Sequence, residues 1–258
     1  MKLDLSDRSA LVTGSTAGIG FAAAKALAEC GARVFVNGRD EGRTAEAAGR
    51  IAAGAQSVAG DVGTEEGCKA IHAATGPVDI LVNNASIFEP VDFFDTEDEV
   101  WDRHWQVNVM SAVRLSRAYA PAMVDKGWGR IMMLGSESAF NIPAEMIHYG
   151  VSKTADVAFA RGLAKRLAGT GVTVNSILPG PTLSEGLEDM LTDRAAQSDK
   201  TLEEIAANFV MENRPTSIIQ RAASVEEVVN MIAYVASPLS SATTGASLRV
   251  DGGVVDSL

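Results

Sequence analysis

The sequence predicts an α/β fold: a doubly wound parallel sheet with helices on both faces. Three observations lead there. Continuous apolar stretches alternate with helix-like ones along the whole chain, the pattern of strands buried on both sides. A glycine-rich turn joins the first such strand to the first helix. The length of 258 residues suits one α/β domain and leaves little for a second.

Each element follows from its local pattern. Ser9 to Thr13 is a short apolar run that ends in glycine, and Ile19 to Cys30 is an alanine-rich helix. Arg33 to Asn37 is the next strand, and Thr44 to Ala53 the next helix. Gly60-Asp61-Val62 closes a third strand. Val78 to Val82, Arg130 to Leu134 and Val172 to Ile177 are further buried strands. The one extended irregular region runs from Pro179 to about Arg221 and contains a polar, helix-like insert from Leu183 to Asn213. An insertion of that length in a compact domain is usually a lid or a binding loop.

Composition narrows the function. The chain is 47% hydrophobic and 21% charged, with a net charge of -11. That balance argues against nucleic acid and anionic membranes as general partners. Cys30 and Cys68 cannot make a disulfide framework, and both fall on helical stretches as packing residues. Met1 to Arg8 lacks the apolar stretch of a signal peptide. No run approaches the ~20 apolar residues of a membrane span, so a cytoplasmic location is expected. His72 and His104 have no partners at ligand spacing, so no metal site is expected.

Thr13-Gly14-Ser15-Thr16-Ala17-Gly18-Ile19-Gly20 is the turn after the first strand. Glycines let a backbone approach a ligand closely, and the helix N-terminus beyond them suits a pyrophosphate. The second strand ends at Asn37-Gly38-Arg39. In dinucleotide folds an acid at this end binds a ribose 2′-hydroxyl, whereas a nearby arginine accommodates a 2′-phosphate. Gly38 holds the acid position and Arg39 follows it, which favours NADP(H). Asp40 keeps NAD(H) open, although it also suits the N-cap of the next helix. Asp61 has two readings, a contact to adenine or a cap on the following helix.

Tyr149 and Lys153 stand four residues apart on a helix, with Ser136 thirteen residues before the tyrosine. A spacing of four places two side chains on one face, about 5–6 Å apart at Cβ. A neighbouring ammonium favours the phenolate, which suits a tyrosine to proton transfer near neutral pH. His148 adjoins Tyr149 but points about 100° away on the helix, as a structural or rim residue.

With these pieces the chain resembles the short-chain dehydrogenase/reductase family over nearly its whole length. The cofactor turn, Asp61, Asn83-Asn84-Ala85, Asn108, Ser136, Tyr149, Lys153 and Pro179-Gly180 stand in the family's order. Thr244-Gly245 and Val250-Asp251-Gly252-Gly253 look like its last strand and edge. Two positions depart: Ser86 replaces a glycine, and Ser184 replaces a threonine while keeping a hydroxyl. The resemblance implies a Rossmann-like sheet of about seven strands in a single domain, residues 1–258, with a helical substrate lid over residues 181–216. It implies hydride transfer between nicotinamide and a ketone or secondary alcohol.

It also implies roles. Tyr149 is the acid/base. Ser136, rather than Ser138, holds the substrate oxygen. Lys153 aids the tyrosine and binds ribose, and Asn108 organises a water leading from Lys153 to solvent. Cofactor contacts are expected from Gly14, Ser15, Thr16, Gly18, Ile19, Gly20, Arg39, Asp61, Val62, Asn84, Ala85, Tyr149, Lys153, Pro179, Gly180, Thr182 and Ser184. The substrate is a small carbonyl or alcohol, and a homotetramer forms through the helices at about Glu97 to Val124 and Tyr149 to Ala168. Residues 87–95, 137–147 and 181–216 form the pocket and are largely apolar, while Glu137 and Glu145 disfavour a highly anionic substrate. A 3-oxoacyl-thioester reductase is the alternative. A non-catalytic NADP(H) sensor is the third reading, set against by the presence of both Tyr149 and Lys153.

Overall fold

The computed structural model describes residues 3–51, 54–196 and 198–257. Its main sheet has seven parallel strands: β1 (Ser9–Val12), β2 (Arg33–Gly38), β3 (Gln56–Ala59), β4 (Ile80–Asn83), β5 (Gly129–Leu134), β6 (Val172–Pro179) and β9 (Ser247–Val250). Their order is β3-β2-β1-β4-β5-β6-β9. Every residue of β1, β4, β5 and β6 is buried, which is why these strands read as continuous apolar runs rather than alternating ones. A short second sheet pairs β7 (Thr182–Leu183) with β8 (Ala223–Ser224).

The two faces carry separate cores. On one, α1 (Gly18–Glu29), α2 (Glu41–Gly49) and α9 (Val225–Ala236) bury Ala24, Leu27, Ala47 and Ile232 against Val12, Val36 and Val82. On the other, α3 (Glu65–Thr75), α5 (Ser111–Lys126) and α6 (Ile147–Arg166) bury Ile71, Leu115, Tyr119 and Ala160 against Leu11, Leu81, Met133 and Val174. Cys68 is buried in this second core, and Cys30 packs on the edge of the first. Burial pushes the Cys68 thiol up to about 11.

Two sequence expectations change. The second helix begins at Glu41, earlier than Thr44, because Asp40 accepts from the Arg43 amide at 2.8 Å and caps it. The expected end of that helix at Ala53 lies outside the described residues. The insert after β6 is two helices, α7 (Glu185–Ala196) and α8 (Leu202–Asn213), with their own small core of Leu187, Leu191, Ile205 and Ala206. The break is set by a capping box: Thr201 accepts from the Glu204 amide, and the Glu204 carboxylate accepts from Thr201.

A further helix, α4 (Asp98–His104), runs through a π-turn at Trp105–Met110 straight into α5. Among the described residues no helix is long and apolar enough to cross a membrane.

Candidate active site

The strand order reverses direction between β1 and β4, and in open parallel sheets ligands bind beyond the carboxyl ends of the strands at such a point. A cleft of about 650 Å³ opens there. One wall is the glycine turn. Gly14 has φ +58°, which favours glycine, and a Cβ on it would stand 2.8 Å from the Ala85 Cα. Asn84 holds the turn from behind by donating to the carbonyls of Thr13 and Gly14 at 2.8 and 2.9 Å. Asn37 braces its other side, accepting from the Gly14 amide and donating to the carbonyls of Val58 and Gly60.

No side chain caps the N-terminus of α1, so its first amides are left for a ligand. A narrow glycine cradle with uncapped amides beyond it fits a dinucleotide pyrophosphate. Of the expected cofactor residues, all but one line the cleft. Ser15 is the exception. Its hydroxyl turns inward to the Val12 carbonyl at 2.7 Å and accepts from the Asn37 amide, so it fastens β1 to β2. Arg39 is exposed on the cleft rim, while Asp40 is committed to capping α2. Asp61 accepts from the Gly63 amide at 2.9 Å, and Thr64, not Asp61, caps α3 through the Gly67 amide.

The opposite wall carries the acid–base group. Ser136 follows β5 and accepts from the Ser138 amide at 3.1 Å, which fixes its hydroxyl in the cleft wall. Tyr149 lies half-buried in the first turn of α6, edge-on to Phe88 at 6.1 Å. One turn on, the Lys153 ammonium sits 5.8 Å from the centre of the Tyr149 ring. It donates to the Leu134 carbonyl at 2.9 Å and pairs with Asp156 Oδ2 at 3.4 Å. Ser138 is buried and donates to Glu137.

The side chain of Asn108 is committed to the protein's own scaffold. It lies in the π-turn behind the cleft wall, accepting from the Ile87 amide and donating to the Ile87 carbonyl and to Ser152 Oγ at 2.9 Å. Ser152 in turn donates to the Tyr149 carbonyl at 2.7 Å. None of these bonds goes to Lys153; Asn108 braces the loop after β4 against the helix that carries Tyr149. His148 is buried, its ring 4.3 Å from His104 and its Nε2 paired with the Glu89 carbonyl. Burial holds the His104 imidazole below its ordinary pKa. His72 packs edge-on against Tyr119.

Two side chains were not legible as site residues. Asp156 is one. The other is Arg214, which follows α8 and reaches the cleft to donate to Glu137 Oε1 at 2.7 Å, with Glu145 at 3.8 Å. Glu137 is buried and its second oxygen, Oε2, has no partner. Burial pushes its carboxyl up, with Arg214 pulling the other way.

The arrangement matches known proteins along its length. A family model described as short chain dehydrogenase matches residues 8–195. An uncharacterised oxidoreductase of Bacillus subtilis (strain 168), YvaG, is 47% identical with all of both chains covered. A 3-oxoacyl-[acyl-carrier-protein] reductase of Vibrio cholerae is 31% identical, covering 98% of this chain and 99% of that one. Among solved structures, L-sorbose reductase from Gluconobacter frateurii, complexed with NADPH and L-sorbose, superimposes with a TM-score of 0.92 at 30% identity, each chain fully covered.

Proposed function

Because the chain belongs to the short-chain dehydrogenase family, we propose that it is an NADP(H)-dependent oxidoreductase of a ketone and its secondary alcohol, with Tyr149 as acid/base. The observation that carries this is one cleft with a glycine cradle on one wall and Ser136, Tyr149 and Lys153 on the other. When bound, the nicotinamide ring supplies or accepts the hydride. The remaining work falls to side chains. Ser136 Oγ bonds the substrate oxygen, and Tyr149 Oη gives it a proton in reduction or takes one in oxidation. The charge on Lys153 stabilises the phenolate left behind.

Gly14, Thr16, Gly18, Ile19 and Gly20 would hold the phosphates. Asp61 and Val62 would face the adenine, and Pro179, Gly180, Thr182 and Ser184 the nicotinamide. Arg39, exposed beside the cleft while Asp40 is held in a cap, supports a preference for the 2′-phosphate. Residues 181–216 act as the lid. The chain works in the cytoplasm as a homotetramer, for which light scattering is the check.

On the substrate side, Glu137 and Arg214 set a polar end against the apolar Phe88, Leu187 and Met190. The Arg214 guanidinium in the cleft lining offers N–H donors to a substrate hydroxyl, which favours a hydroxylated ketone over a plain one. The L-sorbose bound in the structural relative from Gluconobacter is a molecule of that kind. An acyl thioester is the competing substrate, in line with the Vibrio relative. The test is a panel of hydroxyketones, plain ketones and acetoacetyl thioesters with NADPH and NADH, alongside Tyr149→Phe and Arg39→Asp. Tyr149→Phe is expected to lose about 10²–10⁴ in rate, and undiminished turnover would falsify the mechanism. Arg39→Asp should move the preference toward NADH; an unchanged ratio removes Arg39 from phosphate recognition. Binding of NADPH without turnover of any panel member points to the sensor reading.

A further inference from the structure

Behind the lysine lies a buried carboxyl that the proton-transfer scheme does not use. Asp156 is on α6, one turn beyond Lys153. Its residue is 3% exposed and that of Lys153 2%. Asp156 Oδ2 stands 3.4 Å from the lysine ammonium, and Oδ1 has no partner.

The sheet that α6 covers carries other buried polar atoms without partners. Asn83, Met133 and Ser176 are in register across β4, β5 and β6. They lie on the face that α6 covers, the face of Leu81 and Val174. Asn83 Oδ1 and Ser176 Oγ are buried without partners too. Burial, opposed by Lys153, pushes the Asp156 carboxyl up to about 6.

We infer that Asp156 is a positioning residue for the acid–base pair, holding the Lys153 ammonium from behind and setting how much of its charge reaches Tyr149. This rests on the reading of Tyr149 and Lys153 given above. With Asp156 ionised, the buried pair is close to neutral and the phenolate gains little from the lysine. With Asp156 protonated, the ammonium acts on Tyr149 in full. Of the packed elements, the turn at Glu137–Ala139 brings Glu137, which is paired with Arg214. The strands bring Met133, Val174 and Ser176, and the π-turn brings Asn108 to Ser152. His104 on α4 packs on His148 at the start of α6. Among the described residues, Lys153 is the charge that bears on Asp156.

The test reads Tyr149 directly and needs no substrate. The protein has three tyrosines, so ¹³C NMR of [ζ-¹³C]tyrosine-labelled protein follows each ring through a pH titration. Tyr149→Phe assigns the Tyr149 resonance. Asp156→Asn, which cannot ionise, is expected to lower the Tyr149 midpoint by about 0.5–1 pH unit, roughly a three- to tenfold gain in phenolate at fixed pH. Asp156→Glu should restore the wild-type midpoint. Should the Asn variant not fold, Asp156→Ser carries the same expectation. A midpoint that stays put or rises in the folded variant overturns the inference, since a purely structural role would change melting alone. Full turnover by Tyr149→Phe in the ketone panel would instead overturn the reading on which the inference depends.

Discussion

Two ion pairs with buried carboxyls serve the cleft of Tyr149, and they are built in opposite ways. Lys153–Asp156 lies within one helix, three residues apart. Arg214–Glu137 joins residues 77 apart in the chain, tying the segment after α8 to the end of β5. Both carboxyls are raised by burial, and both leave one oxygen without a partner. The first pair is held on one rigid element, with both side chains buried. The second opens whenever the segment between β7 and β8 shifts. The charge beside the reacting tyrosine is thereby fixed, while the far end of the pocket can adjust.

The largest expected effect comes from breaking the long-range pair. Arg214→Ala leaves the Glu137 carboxylate buried beside Ser136, and removing one partner of a buried pair costs about 3 kcal/mol or more. Chemical denaturation reads this. Adding Glu137→Gln should recover most of the loss. A double variant as unstable as the single would assign the loss to arginine packing instead.

The helical pair has a comparable signature, but in pH. The Asp156 carboxyl is raised from 3.8 to about 6. Between those values the folded chain keeps a proton that the unfolded chain has released. The group therefore stabilises the fold fully below about pH 4 and loses that contribution as pH rises through about 6. The loss is about 3 kcal/mol. Urea unfolding at pH 4 and pH 7 should show Asp156→Asn declining less than wild type over this interval. Parallel declines would mean that Asp156 is not the group responsible.

Smaller effects separate the regions further. Thr201→Ala removes one arm of the capping box of α8 and should cost about 1 kcal/mol. Hydrogen exchange should speed up in α8 and stay unchanged in α6. Glu145, half-exposed and 3.8 Å from Arg214, belongs to a weaker class of pair. Glu145→Gln should change stability by less than about 0.5 kcal/mol, and a larger loss would place Glu145 inside the Glu137 network.

The same contrast explains what was readable from the chain. The sheet was legible because strands buried on both faces leave unbroken apolar runs, as in β4 and β5. The glycine turn and the Tyr149–Lys153 spacing are local, so they too were visible. Asp156 was not, because an aspartate three residues after a lysine on a helix usually forms a solvated surface pair. Its burial depends on β5 and β6 lying beneath it. Arg214 was hidden by its 77-residue separation from Glu137, and the β7–β8 pair by strands of two residues each. The direction of the Ser15 hydroxyl was not legible either, because its place in the turn does not tell which way the side chain faces. The split of α7 from α8 was present in the sequence, as Thr201 followed three residues later by Glu204.

The π-turn at Trp105–Met110 constrains how this chain could change. It inserts one extra residue into an otherwise α-helical path, and Asn108 sits within it. Deleting a residue there would not simply shorten a helix. The turn would close to a regular α-helix, leaving Leu115, Tyr119 and Met123 on the core face, while the local widening that sets Asn108 against Ile87 would be lost. Lineages that keep this site must therefore keep the length of that segment, and loss of a single codon there is a heavier change than most substitutions in it.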